Sequence, residues 1–205
     1  MKEEKINKNL CENITGIILA GGSSRRYGKN KAFLNINGIP LIETITEKMK
    51  GIFQKVILIA NEKEGFAYLG LPVVEDIKMG LGPLGGIYTG LLSISNEAGF
   101  FVACDMPFIN EGLIRYMADK RDNHWAVVPS VGDEIEPLHA IYSKSCLTSI
   151  KDLINSKIYQ VRRFYDHIDV RYVKEGEIRK FIAPEIVFLN INTPDEYIKI
   201  QSLTR

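Results

Sequence analysis

Short apolar runs that stop at a glycine, an asparagine or an aspartate govern what this chain can fold into. "GIILA" (16–20) stops at Gly21 and Gly22, "KVILIAN" (55–61) at Asn61, "LPVVED" (71–76) at Asp76, and "GFFVACDMP" (99–107) at Asp105 with Pro107 turning the chain away. Such runs suit strands covered on both faces. Amphipathic stretches lie between them. "PLIETITEKMKGI" sets Leu41, Ile42, Ile45 and Met49 at helical spacing, with Pro40 at a first-turn position. "IYTGLLSI" (87–94), "EGLIRYMADKR" (111–121), "CLTSIKDLINS" (146–156) and "YQVRRFYDH" (159–167) also read as helices. "HWAVVPS" (124–130) and "LHAIYS" (138–143) add strands. "IVFLNINTPDEYIKI" (186–200) reads as a strand and then a helix, with Thr193 as N-cap, Pro194 first in the helix and Glu196 closing a capping box. The rhythm predicts an α/β fold of Rossmann-like α/β/α type, with a mainly parallel sheet between two helical layers. Residues 1–13, mostly polar, read as a flexible tail, and 14–205 as a single domain. Ligands of such sheets gather where strands end, near a change in strand order.

Composition removes several classes of function. A net charge of +1 over 205 residues leaves no global field for nucleic acid or an anionic membrane. No apolar run approaches the ~20 residues of a membrane span, and the first thirteen residues lack a signal-peptide core. Cys11, Cys104 and Cys146 are far apart with no C-x-x-C pair, which argues against a disulfide framework or a zinc site and predicts a cytoplasmic protein.

Positive charge is concentrated in one place. Arg25, Arg26, Lys29 and Lys31 follow Gly21 and Gly22 directly. The loop is not a P-loop: Gly22, Gly28 and Lys29 are spaced one residue too far, and Asn30 stands where the metal-binding hydroxyl would be. The dinucleotide fingerprint fails as well. Glycines still let backbone N–H groups approach an anion, and arginine and lysine neutralise phosphates. An ordinary strand-to-helix turn with solvated basic residues has the same spacing. Asp105 and Asp76, at strand ends, are placed to hold a magnesium ion, which takes one or two carboxylates and completes its shell with phosphate and water; a helix cap or surface turn needs the same residue. Basic loop and strand-end acid together suit phosphoryl or nucleotidyl transfer, where catalysis is mostly positioning and charge neutralisation.

L-A-G-G-x-S-x-R-x-G-x-x-K, Leu19 through Lys31, resembles the signature of nucleotidyltransferases with the nucleotide-diphospho-sugar transferase fold. With "GPLGGI" (82–87), "ACDMPF" (103–108) and "NINTPDE" (190–196), the sequence resembles the molybdenum cofactor guanylyltransferases from about residue 14 to about 200. The resemblance implies transfer of GMP from GTP to the phosphate of Mo-molybdopterin with release of diphosphate, dependent on Mg2+. It implies nucleotide contacts from Leu19, Ala20, Gly21, Gly22, Lys31, Asp76 and Asp105. Lys31, Asp105 and Arg25 would be catalytic and Asp105 the metal ligand. It also implies transient contact with molybdenum insertion proteins or acceptor molybdoenzymes. The chain departs from the family at Asn30, where an aspartate is usual, and at Ile59, where an asparagine is frequent.

The acceptor half is less legible. Arg162 and Arg163, in "QVRRFYD", are candidates for the acceptor phosphate, and a solvated helix surface is the alternative. His139, inside a strand pattern, suits a hydrogen-bonded structural group better than a catalyst. Two other functions remain open on sequence alone: a relative using CTP or another phosphorylated acceptor, and a nucleotide-binding adaptor without turnover.

Overall fold

A computed structural model describes residues 8–21, 31–61, 63–77, 80–191 and 193–203. Its centre is a sheet in the order β10 (Val170–Lys174), β7 (Ala126–Val131), β9 (His139–Ser143), β6 (Ala98–Ala103), β1 (Ile14–Leu19), β4 (Val56–Ala60), β5 (Val73–Glu75), with β8 (Glu134–Ile135) paired to β7. β6, β1, β4 and β5 run parallel, as do β7 and β10; β9 is antiparallel to both β6 and β7. Two reversals restore direction, so β6 and β7 deliver their carboxyl ends to the same edge. The sheet is mainly parallel, as the apolar runs predict.

Residues of β1 alternate between the two cores. Ile14 and Ile18 join α1 (Leu41–Ile52) and α3 (Glu111–Asp119) through Ile42, Ile45, Met49, Leu113 and Met117. Ile17 and Leu19 join α2 (Gly82–Ser93) and α4 (Cys146–Asn155) through Leu84, Ile87, Leu91 and Ile150. The layers are therefore helix, sheet, helix. A two-residue hairpin, β2 (Asn35–Ile36) and β3 (Ile39–Pro40), turns on Asn37 and Gly38, both at positive φ, as an Asn-Gly turn favours.

Four elements depart from the sequence reading. α2 begins at Gly82, so the glycine-rich stretch forms its first turns. These glycines allow close helix-on-strand approach: a Cβ on Gly86 would lie 3.2 Å from Leu19 Cδ2, and one on Gly90 2.6 Å from Phe101 Cε1. Residues 186–189 form no strand. Pro184 opens a short helix, α7 (Pro184–Val187), because a proline at the first position costs no hydrogen bond there. β10, which follows α5 (Val161–Phe164), is half-exposed and too weakly apolar to stand out in the sequence. Finally, residues 8–13 do not behave as a free tail. A 3-10 turn at Lys8–Cys11 buries Cys11 against the core that includes α3; residues 1–7 lie outside the described residues. All three cysteines are buried and free. Among the described residues, no helix is long and apolar enough to cross a membrane.

Candidate active site

The C-terminal ends of β5, β4, β1 and β6 form one edge. Leu19 O accepts from Cys104 N at 3.0 Å, and Ala20 N donates to Ile59 O at 2.8 Å, so the end of β1 is clamped between β6 and β4. Gly21 emerges exposed beside Asn61; a Cβ on it would lie 3.3 Å from Asn61 Oδ1. Backbone, rather than side chain, is thus presented where the basic loop begins.

Asp105 follows β6 in a turn closed by Met106 N to Ala103 O at 3.2 Å. Lys31 comes from the opposite direction, on a 3-10 turn (Lys31–Phe33) anchored by buried Ala32 and by Phe33 stacked on Phe66 at 5.1 Å. The two side chains meet with Lys31 Nζ 3.7 Å from Asp105 Oδ2, at 16% and 20% exposure. Burial pushes the Asp105 carboxyl above the ordinary aspartate range; the Lys31 ammonium opposes that, and the like charge of Glu196 reinforces it. A carboxylate in that balance binds a cation more favourably than it stays bare.

The segment before α8 (Pro194–Leu203) completes this side. Ile191 N donates to Asp105 O at 3.3 Å. Thr193 and Glu196 form the expected capping box, at 2.8 and 3.2 Å. Asn190 keeps a buried side-chain oxygen with no hydrogen-bond partner among the described residues. Sequence reasoning did not single it out as a site residue, although "NINTPDE" drew attention to the stretch.

Asp76 leaves β5 and accepts from Thr89 Oγ1 on α2 at 2.7 Å, and that same hydroxyl accepts from Ile77 N at 3.2 Å. Its other oxygen lies beside Gly85, in the first turns of α2, near the positive end of the helix dipole. Asp76 is therefore fixed in place before any ligand arrives. Gly22 and Arg25 lie outside the described residues, together with Arg26 and Lys29.

The two acceptor candidates diverge. Arg162 turns to Glu134 and lines a cleft of about 370 Å³ with Ser130, Tyr165, Tyr172 and Lys174 at the ends of β7 and β10. Arg163 lines a different cavity with Lys157, Tyr159 and His167. On this short helix the two adjacent arginines thus line different cavities. His139 is fully buried, edge-on to Phe100 and Phe188, with neither ring nitrogen partnered among the described residues; desolvation pushes its pKa down to about 3. It is a neutral core group.

Magnesium fits the donors present. Among the described residues no three His, Cys, Asp or Glu side chains come together. A single half-hidden carboxylate and an orphaned amide oxygen on adjoining segments suit an ion that takes the rest of its shell from phosphate and water.

Residues 16–171 match the sequence model of the MobA-like NTP transferase domain. The chain is 38% identical over 185 residues to a probable molybdenum cofactor guanylyltransferase of Pelotomaculum thermopropionicum, covering 90% of each. It is 35% identical to a molybdenum cofactor guanylyltransferase of Syntrophotalea carbinolica, covering 90% of this chain and 89% of the other. A crystal structure of molybdopterin-guanine dinucleotide biosynthesis protein A from Archaeoglobus fulgidus superposes with a TM-score of 0.82 at 26% identity, covering 93% of this chain and 98% of that one.

Proposed function

This chain belongs to the MobA-like NTP transferase family, and from that premise we propose that it transfers GMP from GTP to the phosphate of Mo-molybdopterin. The observation that supports this best is the Lys31–Asp105 pair at 3.7 Å, held by two separate anchors at the carboxyl edge of the sheet. An acceptor phosphate oxygen attacks the α-phosphorus of GTP; the bond from that phosphorus to the bridging oxygen breaks, and diphosphate leaves. An ionised phosphate is already a nucleophile, so no covalent enzyme intermediate forms.

Asp105 would hold a magnesium ion, with Asn190 as the neighbouring neutral oxygen, and the ion when bound supplies charge neutralisation at the phosphates. Lys31 neutralises phosphate oxygens and is kept in reach by its pairing with Asp105. Arg25 is assigned to the departing diphosphate, and the backbone of Leu19, Ala20, Gly21 and Gly22 to the nucleotide. Asp76, fixed to Thr89, faces the nucleoside. Arg162 is assigned to the acceptor side; Arg163, in another cavity, is not supported there. The reaction takes place in the cytoplasm, with transient contact to molybdenum insertion proteins or acceptor molybdoenzymes.

Diphosphate release with magnesium and Mo-molybdopterin, compared for GTP, CTP, ATP and UTP, tests the proposal. Release with GTP alone, and only with acceptor present, is expected. Release with CTP would move the chain to a cytidylyl-transferring relative, and silence with all four would remove transfer to Mo-molybdopterin and leave another acceptor or a nucleotide-binding adaptor.

A further inference from the structure

Glu136 is a half-buried carboxylate at the active edge of the sheet, and nothing in the proposed transfer uses it. Its position is set by backbone. Glu136 N donates to Pro129 O at 3.0 Å, its carbonyl accepts from His139 N at 3.2 Å, and the next carbonyl, Pro137 O, accepts from Tyr142 at 2.9 Å. The Tyr142 hydroxyl is in turn paired with Tyr165 at 2.6 Å. Ala103 N donates to Leu138 O at 3.1 Å, and Val102 faces His139, so the run into β9 arrives alongside the turn that carries Asp105.

Among the described residues the carboxylate carried on this fixed backbone meets no cation and accepts no hydrogen bond. Arg162, on the same side of the sheet, pairs with Glu134. Burial, with the like charge of Glu134 added, pushes the Glu136 carboxyl up to about 7. A partly desolvated carboxylate without a partner is costly, and that cost is recovered when a ligand brings two matched donors.

Position decides which ligand. Leu19–Gly21 and Asp76 lie on the β1, β4 and β5 side of Asp105, whereas Glu136 lies on the β9 and β7 side. On the reading that Mo-molybdopterin is the acceptor, we infer that Glu136 recognises the 2-amino and N3–H edge of the pterin ring. Those two donors are parallel and spaced for the two oxygens of one carboxylate. The ring is thereby oriented with its phosphate-bearing arm toward Asp105.

The experiment uses the full chain without GTP and two fluorescent probes, 6-hydroxymethylpterin and 6-hydroxymethyllumazine, which carries an oxygen in place of the 2-amino group. Wild type should bind the pterin about 10- to 100-fold more tightly, the usual worth of hydrogen bonds to a charged group. Glu136→Gln, of the same shape, should reduce that preference to about threefold or less. Glu136→Gln should fold at least as stably as wild type, because it removes an unpaired buried charge. Equal binding of both probes by wild type, or a preference kept intact in Glu136→Gln, would overturn the assignment. So would loss, in Glu136→Gln, of discrimination between GTP and ITP, which would place Glu136 at the guanine. Because these are binding measurements without turnover, they stand or fall separately from the diphosphate assay.

Discussion

The two halves of the active edge are built on different terms. On the β5–β4–β1–β6 side, charge is settled within the protein: Asp105 meets Lys31, and Asp76 meets Thr89. On the β9–β7–β10 side, Arg162 and Glu134 pair out in solvent, while the Glu136 carboxylate has no partner among the described residues. The first half is organised before any ligand binds; the second is finished by one. On the proposed reading, a site built in this way would fix the triphosphate geometry and leave selection of the acceptor to groups whose cost the right acceptor relieves.

The contrast breaks if its internally paired side proves dispensable. Asp105→Asn keeps the shape and removes the charge, and should lower kcat by about 1000-fold with the thermal midpoint little changed. A loss below tenfold would mean that the carboxylate is only a turn residue. Lys31→Ala should cost about 100-fold in turnover. Retained turnover in that folded variant would make the pair an accident of packing.

His139 sharpens the comparison from inside the core. Its folded pKa lies near 3, below the ordinary value near 6.5, so the unfolded chain takes up a proton that the folded chain refuses. Stability from keeping it neutral is complete above about pH 6.5 and lost as pH falls toward 3. By pH 5 the loss is about 2 kcal/mol. Denaturant titrations of His139→Leu at pH 5 and pH 8 should show a pH difference smaller than that of wild type by this amount. An unchanged difference would mean that the ring protonates within the fold. Least affected should be Arg162→Ala: an exposed ion pair contributes under about 1 kcal/mol, and the acceptor KM should rise by less than about tenfold. A larger rise would show that the arginine leaves Glu134 for the ligand.

The paired half was also the legible half. Continuous apolar runs announced β1, β4 and β6 because a strand buried on both faces needs them; Asp105 stood out by lying at the end of one, and Lys31 by its place in the basic loop that follows another. The capping box at Thr193 and Glu196 was legible because its partners are three residues apart. The run "IVFL" misled because four apolar residues carry no period, and Pro184 decided for a helical turn. Residues 8–13 were misjudged since Leu10 and Cys11, two apolar residues in a polar stretch, find their burial only against a distant helix. Arg162 and Arg163 looked alike until the helix sent them to separate cavities. Lack of a partner, which distinguishes Glu136, is a property of tertiary structure and leaves no local trace in the sequence.

The bond from Ile191 N to Asp105 O has a consequence for synthesis. Every described strand of the sheet precedes residue 175, so the strands are synthesised before the segment that steadies the Asp105 turn. A chain stopped there would carry these strands yet lack Ile178 and Val187 from one core and Ile191 from beside Asp105. The Asp105 turn therefore gains its steadying hydrogen bond only after every described strand has been made.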